Sequence, residues 1–239
     1  CRTVGVANVP ASTLTQRTTE HILIHSPADQ LVAVQTYTAT TVTLALLGAA
    51  CLDELDMAQS EWAAAMAEFS SYVPGCVAAS EEWRDFIALD SPLYILGRGH
   101  AMASVDEGVL LMHETAKLPA IGMSVPQFRH GPVEAVDGHF RAVMIGTQPS
   151  TWEMDRELAL DLGQMGGHVR WVGPPASHVD SLCAWPQNPP TRFRSVFETI
   201  PLQMLAYRSA EGHGIVPGEF RWASAVTGTE SGFPGLSAS

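Results

Sequence analysis

The stretch "SPLYILGRG" (91–99), continued by "HAMASVDEGVLLMHETAK" (100–117), decides the fold class. "LYIL" is an apolar run without polar alternation, which predicts a strand buried on both faces. The glycine-bracketed "GRG" ends it, and a helical stretch opens at once. Downstream, "HFRAVMIG" (139–146) predicts a strand and "TWEMDRELALDLGQMGG" (151–167) a helix closed by a glycine pair. "HVRWVG" (168–173) and "SLCAWP" (181–186) predict further strands, and a final helix spans about Arg194 to Gly212. Between 118 and 132, "LPAIGMSVPQFRHGP" reads as an irregular, Pro- and Gly-marked loop. Strands alternating with helices imply a parallel sheet covered on both faces, an α/β fold.

Upstream of residue 91 the pattern differs. "RTVGVAN" (2–8) and "HILIHS" (21–26) predict strands, and Asp29 to about Leu52 a buried helix. Residues 56–72 put Met57, Trp62, Met66 and Phe69 near helical spacing, predicting an amphipathic helix broken by Pro74-Gly75. Another helix follows over roughly 77–88. The last segment, 217–239, is loop-rich.

The 239 residues are 46% hydrophobic and 16% charged, a globular composition. A net charge of −12 leaves no basic stripe for phosphate backbones, so no nucleic-acid partner is expected. No run of eighteen apolar residues predicts a membrane span; "TVTLALLGAACL" (41–52) reads as a core helix. Four cysteines, Cys1, Cys51, Cys76 and Cys183, are far apart in sequence with no C-x-x-C spacing. They read as free thiols of a reduced, cytoplasmic protein. Cys1 as a processed N-terminal nucleophile is one alternative, but "CRTVGVANV" reads as a strand and the chain as a fragment.

Glu114 lies near the end of the helix after "LGRG", with Glu107 two turns earlier on the same face. Partial burial raises a carboxyl toward neutrality and makes it a candidate base, although such a pair is also the pattern of solvated helix charges. His130 sits in "FRHGP", sixteen residues beyond Glu114, beside Arg129 and before a Gly-Pro break. It is a candidate proton carrier, or else a surface histidine. "GRG" is a weak phosphate-turn signal. The nine histidines form no H-x-x-x-H pair, so no metal is expected, and His113 reads as incidental. Tyr94, Trp152, Trp171 and Trp185 read as core.

"LYILGRG", "EGVLLMHE" and "FRHGP", in this order, resemble the sugar-isomerase (SIS) family, which includes phosphosugar isomerases and deaminases and the isomerase half of the glutamine-dependent fructose-6-phosphate aminotransferases. "VGVANVPASTLTQRTTEHILIHSPADQLVAVQTYTAT" and "IPLQMLAYRSAEGHGIVPGEF" extend the likeness over nearly the whole chain. The resemblance implies tandem flavodoxin-like three-layer α/β/α domains with parallel sheets. Residues 1–54 would be the C-terminal half of a first, N-terminally truncated domain, 55–90 a helical linker, 91–216 the second domain and 217–239 a tail. It implies aldose–ketose isomerisation or deamination of a hexose or amino-hexose 6-phosphate, without cofactor, metal or glutaminase domain.

By the same resemblance Glu114 is the base and Glu107 a supporting carboxylate. His130 assists ring opening in the neighbouring subunit's site, which makes the protein a homodimer. Leu31, Val32 and Ala33 would line the sugar, with Arg129 and Arg221 as binding cations. The family's phosphate-cradling loops precede residue 1. Two positions depart from the pattern: the helix lysine is Leu111, and the tail lysine falls at or beside Ser224-Ala225. Arg221, the nearest cation there, cannot serve as a proton-shuttling amine. A non-catalytic sugar-phosphate sensor on the same fold is the alternative reading.

Overall fold

A computed structural model describes residues 1–87 and 91–222. Its elements are β1 (Val4–Ala7), α1 (Thr13–Arg17), β2 (Glu20–Leu23), α2 (Gln35–Cys51), α3 (Leu55–Ala79), β3 (Leu93–Gly97) and α4 (Met102–Leu111). Then come β4 (Ala120–Ser124), α5 (Val125–Arg129), β5 (Arg141–Ile145), α6 (Trp152–Gln164), β6 (His168–Val172) and α7 (Arg194–Gly212). The chain is α/β, and both of its sheets are parallel.

The larger sheet has strand order β4-β3-β5-β6. Side chains of β3 and β5 alternate between its faces, as the strand period requires. Ile95, Val143 and Ile145 pack with Val105 of α4 and with Leu202 and Leu205 of α7. Leu96, Ala142 and Met144 pack with Phe128 of α5 and with Leu158 and Leu162 of α6. Both faces of the strands are therefore covered, which is why "LYIL" carries no polar alternation. Each fully buried side chain of this kind contributes about 1.5–3 kcal/mol. Close packing of α4 on the sheet depends on Gly108, where a Cβ would lie 2.9 Å from both Ile95 and Leu202.

The segment read as an irregular loop holds β4 and α5. Its sequence carries a start signal: Ser124 accepts from the Gln127 amide while the Gln127 side chain accepts from the Ser124 amide, with a proline in the first turn. At 181–186 the predicted strand is absent. Trp171 of β6 bonds the backbone of Asp180 and Leu182, leaving one isolated bridge at Ser181.

Nearer the N-terminus, β1 and β2 form a two-stranded parallel pair. α2 starts at Gln35, not Asp29, because the Asp29 carboxylate caps it by accepting from the amides of Gln35 and Thr36 at 3.0 and 2.8 Å. Only Val42 and Ala49 of α2 are buried, and Leu44 is half exposed. The predicted core helix is a surface one, touching α3 and α7 on one side. Its apolar residues surround it, so the sequence marks no buried face.

Pro74-Gly75 does not break α3. Ala65, Tyr72 and Cys76 are buried against Phe197 of α7, and Tyr72 donates to the Phe197 carbonyl at 3.0 Å. This packing carries the helix through the proline to Ala79. Met57 and Met66, predicted on the apolar face, are about half exposed. Of the helix expected over 77–88, whose last residue lies outside the described residues, the end of α3 and a 3-10 turn at Ser80–Trp83 are formed. Cys76 and Cys183 are free thiols, yet their Sγ atoms meet at 2.8 Å. No described helix is long and apolar enough to cross a membrane.

Candidate functional site

α4 does not stop at Leu111. It loosens into a π turn, Met112–Ala116, and ends at Lys117, whose backbone is left-handed with φ 57°. A π turn rotates the side chains that follow it relative to the α repeat. Glu107 and Glu114, seven residues apart, are thereby treated differently. Glu107 is buried, 6% exposed, whereas Glu114 is half-buried on the wall of a cavity of about 500 Å³. His113, Lys117, Phe220, Arg221 and Trp222 also line that cavity.

Burial raises the Glu114 carboxyl above its ordinary value, and the charges of Lys117 and His113 partly offset this. The Lys117 ammonium donates to the Glu114 backbone carbonyl and lies 5.3 Å from the centre of the Phe220 ring. Nε2 of His113 accepts from the Ala120 amide at 3.2 Å, which fixes this histidine on the cavity wall rather than leaving it incidental. A carboxylate of raised proton affinity, flanked by two cations in an open cavity, suits proton transfer on an anionic substrate.

Seven residues before Glu114, Oε1 of Glu107 is buried without a hydrogen-bond partner. Burial, then the charges of Glu114 and Asp29, push the Glu107 carboxyl up to about 7. Burial and the Glu107 charge push Tyr37 to about 12. At Asp29, burial acts to raise the pKa, but the amides of Thr36 and Gln35 prevail and hold it below the ordinary value.

Leu31 and Val32 are half-buried and Ala33 exposed in the loop entering α2. Val32 approaches the tail near Gly218, where an added Cβ would lie 3.9 Å from it. Arg221 is exposed and on the cavity wall. His130 and Arg129 are both exposed at the end of α5 and are not on that wall. Gly131, with φ 144°, turns the chain just after His130, a conformation that favours glycine. Ser224-Ala225, the position of the family's tail lysine, lies outside the described residues.

The "GRG" turn is filled by the chain's own side chains. Arg98 pairs with Asp155 at 2.5 Å, and a Cβ on Gly99 would lie 2.8 Å from the Gln148 side chain. Beside it, a polar network lies at the carboxyl ends of β3 and β5. Fully buried Glu198 accepts from Ser104 at 2.6 Å and from Thr147, and pairs with His100 at 3.2 Å. Sequence reading missed Lys117, although it is the only lysine of the chain, and missed this network, which unites residues distant in sequence.

The fold is that of the sugar-isomerase proteins, and the chain resembles that family over most of its length. It is 28% identical over 225 residues to glutamine–fructose-6-phosphate aminotransferase [isomerizing] of Pyrobaculum aerophilum, an alignment covering 90% of this chain and 37% of that protein. Among solved structures it is similar to the C-terminal domain of glucosamine-fructose-6-phosphate aminotransferase from Francisella tularensis. There the TM-score is 0.69 and the identity 22%, covering 88% of this chain and 63% of that one. Glucosamine-6-phosphate deaminase from Thermotoga maritima gives 0.69 and 18%, covering 91% and 64%. At these identities the structures establish the fold alone. The chain thus spans about a third of the curated relative's length. No family model matches it.

Proposed function

We propose that this chain is a phosphosugar enzyme that moves a proton between C1 and C2 of an open-chain hexose or amino-hexose 6-phosphate. Glu114 is the base. As a carboxylate it takes the proton from the carbon next to the carbonyl and returns it to the neighbouring carbon. Isomerisation and deamination share this step. The observation that carries the reading is the half-buried Glu114 carboxyl, of raised proton affinity, beside Lys117 and Arg221 on one cavity wall. The likeness to an aminotransferase and a deaminase of amino-sugar phosphates supports the substrate class.

Glu107, holding a proton near neutrality, acts as the reserve acid behind Glu114. Leu31, Val32 and Ala33 offer backbone to the sugar and Arg221 offers charge. His130, exposed and outside the Glu114 cavity, would act in the site of a second copy, with Arg129 beside it, so the working form is a homodimer. In this reading β1, β2 and α2 belong to a first three-layer domain and the sheet from β3 to β6 to a second.

Full-length chain is incubated with fructose 6-phosphate plus ammonia, and separately with glucosamine 6-phosphate, following both sugars and free ammonia. Turnover that vanishes in Glu114→Gln while sugar binding persists supports the enzyme. The second reading, a sugar-phosphate sensor, is favoured by the absence of a lysine at or beside Ser224-Ala225, where the family's tail lysine falls. It predicts saturable binding without turnover.

A further inference from the structure

Cys76 and Cys183 are 107 residues apart in sequence, yet each is brought to the other on anchored backbone. Cys76 lies near the end of α3, one turn after Tyr72, whose hydroxyl donates to the Phe197 carbonyl at 3.0 Å. Cys183 follows buried Leu182, whose amide donates to the Trp171 carbonyl of β6 at 2.9 Å. A hydrogen-bonded chain joins the two sulfurs. The Cys76 thiol donates to Cys183 Sγ at 2.8 Å, and the Cys183 thiol donates to the Tyr72 hydroxyl at 3.5 Å. A disulfide holds its sulfurs about 2.05 Å apart, so closing the bond takes a shift of less than about 1 Å.

The two thiols are not equivalent. Cys76 is fully buried, whereas Cys183 is partly exposed. A cavity of about 460 Å³ lies beside the pair, lined by Gly75 and Ala184, their chain neighbours, and by Tyr72 and Trp185. At Gly75 an added Cβ would meet nothing within 4 Å, so this side is open. A small molecule therefore reaches Cys183 before Cys76. The hydrogen bond from Cys76 holds the Cys183 pKa below the ordinary thiol value against the opposing effect of burial. The same bond, together with burial, raises that of Cys76. Disulfide exchange begins with a thiolate, so access and charge select the same sulfur.

We propose that Cys76 and Cys183 are a reversible redox site, closed to a disulfide by exchange with a small disulfide and clamping α3 to the segment after β6. With oxidised glutathione as the small disulfide, the Cys183 thiolate attacks one of its sulfurs. A new S–S bond forms, the glutathione S–S bond breaks, and one glutathione leaves as a thiolate that takes a proton from solvent. Cys76 then gives its proton to solvent and attacks the Cys183 sulfur, expelling the second glutathione, which is protonated in turn. Two protein thiols are oxidised and one disulfide is reduced to two thiols; excess reduced glutathione runs the exchange backwards. The closed loop holds the whole four-stranded sheet with α4, α5 and α6. A cross-link around so long a loop removes much of the unfolded chain's freedom, so the linked protein resists unfolding.

Full chain is reduced, freed of reductant and incubated with graded ratios of oxidised to reduced glutathione. It is then acid-quenched, alkylated with N-ethylmaleimide and mapped by mass spectrometry. The expected product is a linked peptide containing Cys76 and Cys183, formed saturably in the folded chain and lost on adding dithiothreitol. The linked chain should melt about 5 °C or more above the reduced one. Cys1 and Cys51, both exposed, should carry glutathione singly. Cys76→Ser should stop at glutathione on Cys183, and Cys183→Ser should leave Cys76 unmodified.

Glutathione on Cys1 and Cys51 with no Cys76–Cys183 peptide overturns the proposal. So does a linked peptide that forms only in urea, or a linked chain that melts no higher than the reduced one. Each of these is read from wild type, so the result stands even where a serine variant does not fold.

Discussion

Glu198 and Glu107 are the glutamates that the fold takes out of solvent among the described residues, and it treats them differently. Glu198 is answered on both oxygens, by Ser104 on one and by Thr147 and His100 on the other. Glu107 has an oxygen with no donor and two further carboxylates near enough to raise its proton affinity. A fully bonded buried carboxylate fixes structure, because moving it leaves its donors unpaired. An unanswered one is costly while charged and therefore holds a proton near neutrality. The same residue type thus pins the strand ends at one site and supplies a titrating group at the other.

Glu198→Ala should have the largest effect. It strands Ser104 and Thr147 and opens a hole, so urea unfolding should show a loss of about 3–5 kcal/mol. A loss below about 1 kcal/mol would mean the network is not structural. Glu107→Gln should do something different. The folded carboxyl titrates at about 7 against an ordinary 4.5, so the native state binds the extra proton between those values. Its stabilising contribution is full below 4.5 and lost as pH rises through 7, by on the order of 3 kcal/mol. Glutamine removes that slope, so the variant should be the more stable protein at pH 8 and gain nothing at pH 4.5. Parallel unfolding profiles would show that Glu107 has a partner after all.

His100 supplies the smallest effect. Its bond to Glu198, against the opposing effect of burial, raises its pKa above 6.5. The stabilisation is full below 6.5 and fades as pH rises through the folded value. With about a third of the side chain in solvent, screening holds it below ~1 kcal/mol. His100→Gln should lose stability at pH 6 and differ little at pH 9, as read from thermal midpoints.

The elements legible in sequence were those whose local pattern and burial agree. β3, β5, β6, α6 and α7 lie within about three residues of their expected spans, because apolar runs and a helical period are local signals. What was missed depended on tertiary context. The Ser124–Gln127 capping box was present in "SVPQ", but the surrounding Gly and Pro masked it. Pro74 was overruled by packing against α7, and the uniformly apolar α2 gave no sign of which side faces solvent. At the site, Glu114 and Glu107 were legible as a spaced pair, but not that the π turn separates their environments. Lys117 was legible only by its solitude, since three residues after a glutamate it reads as an ordinary helix charge.

Hydrogen exchange tests whether Glu114 moves a proton on a phosphosugar. Fructose 6-phosphate is held with the protein in deuterium oxide, and the C1 protons are followed by NMR. Wild type should exchange one C1 proton stereospecifically, and Glu114→Gln should slow this by about 10²–10⁴-fold with sugar binding intact. Exchange at the wild-type rate in Glu114→Gln, or none in wild type with the sugar bound, would contradict it.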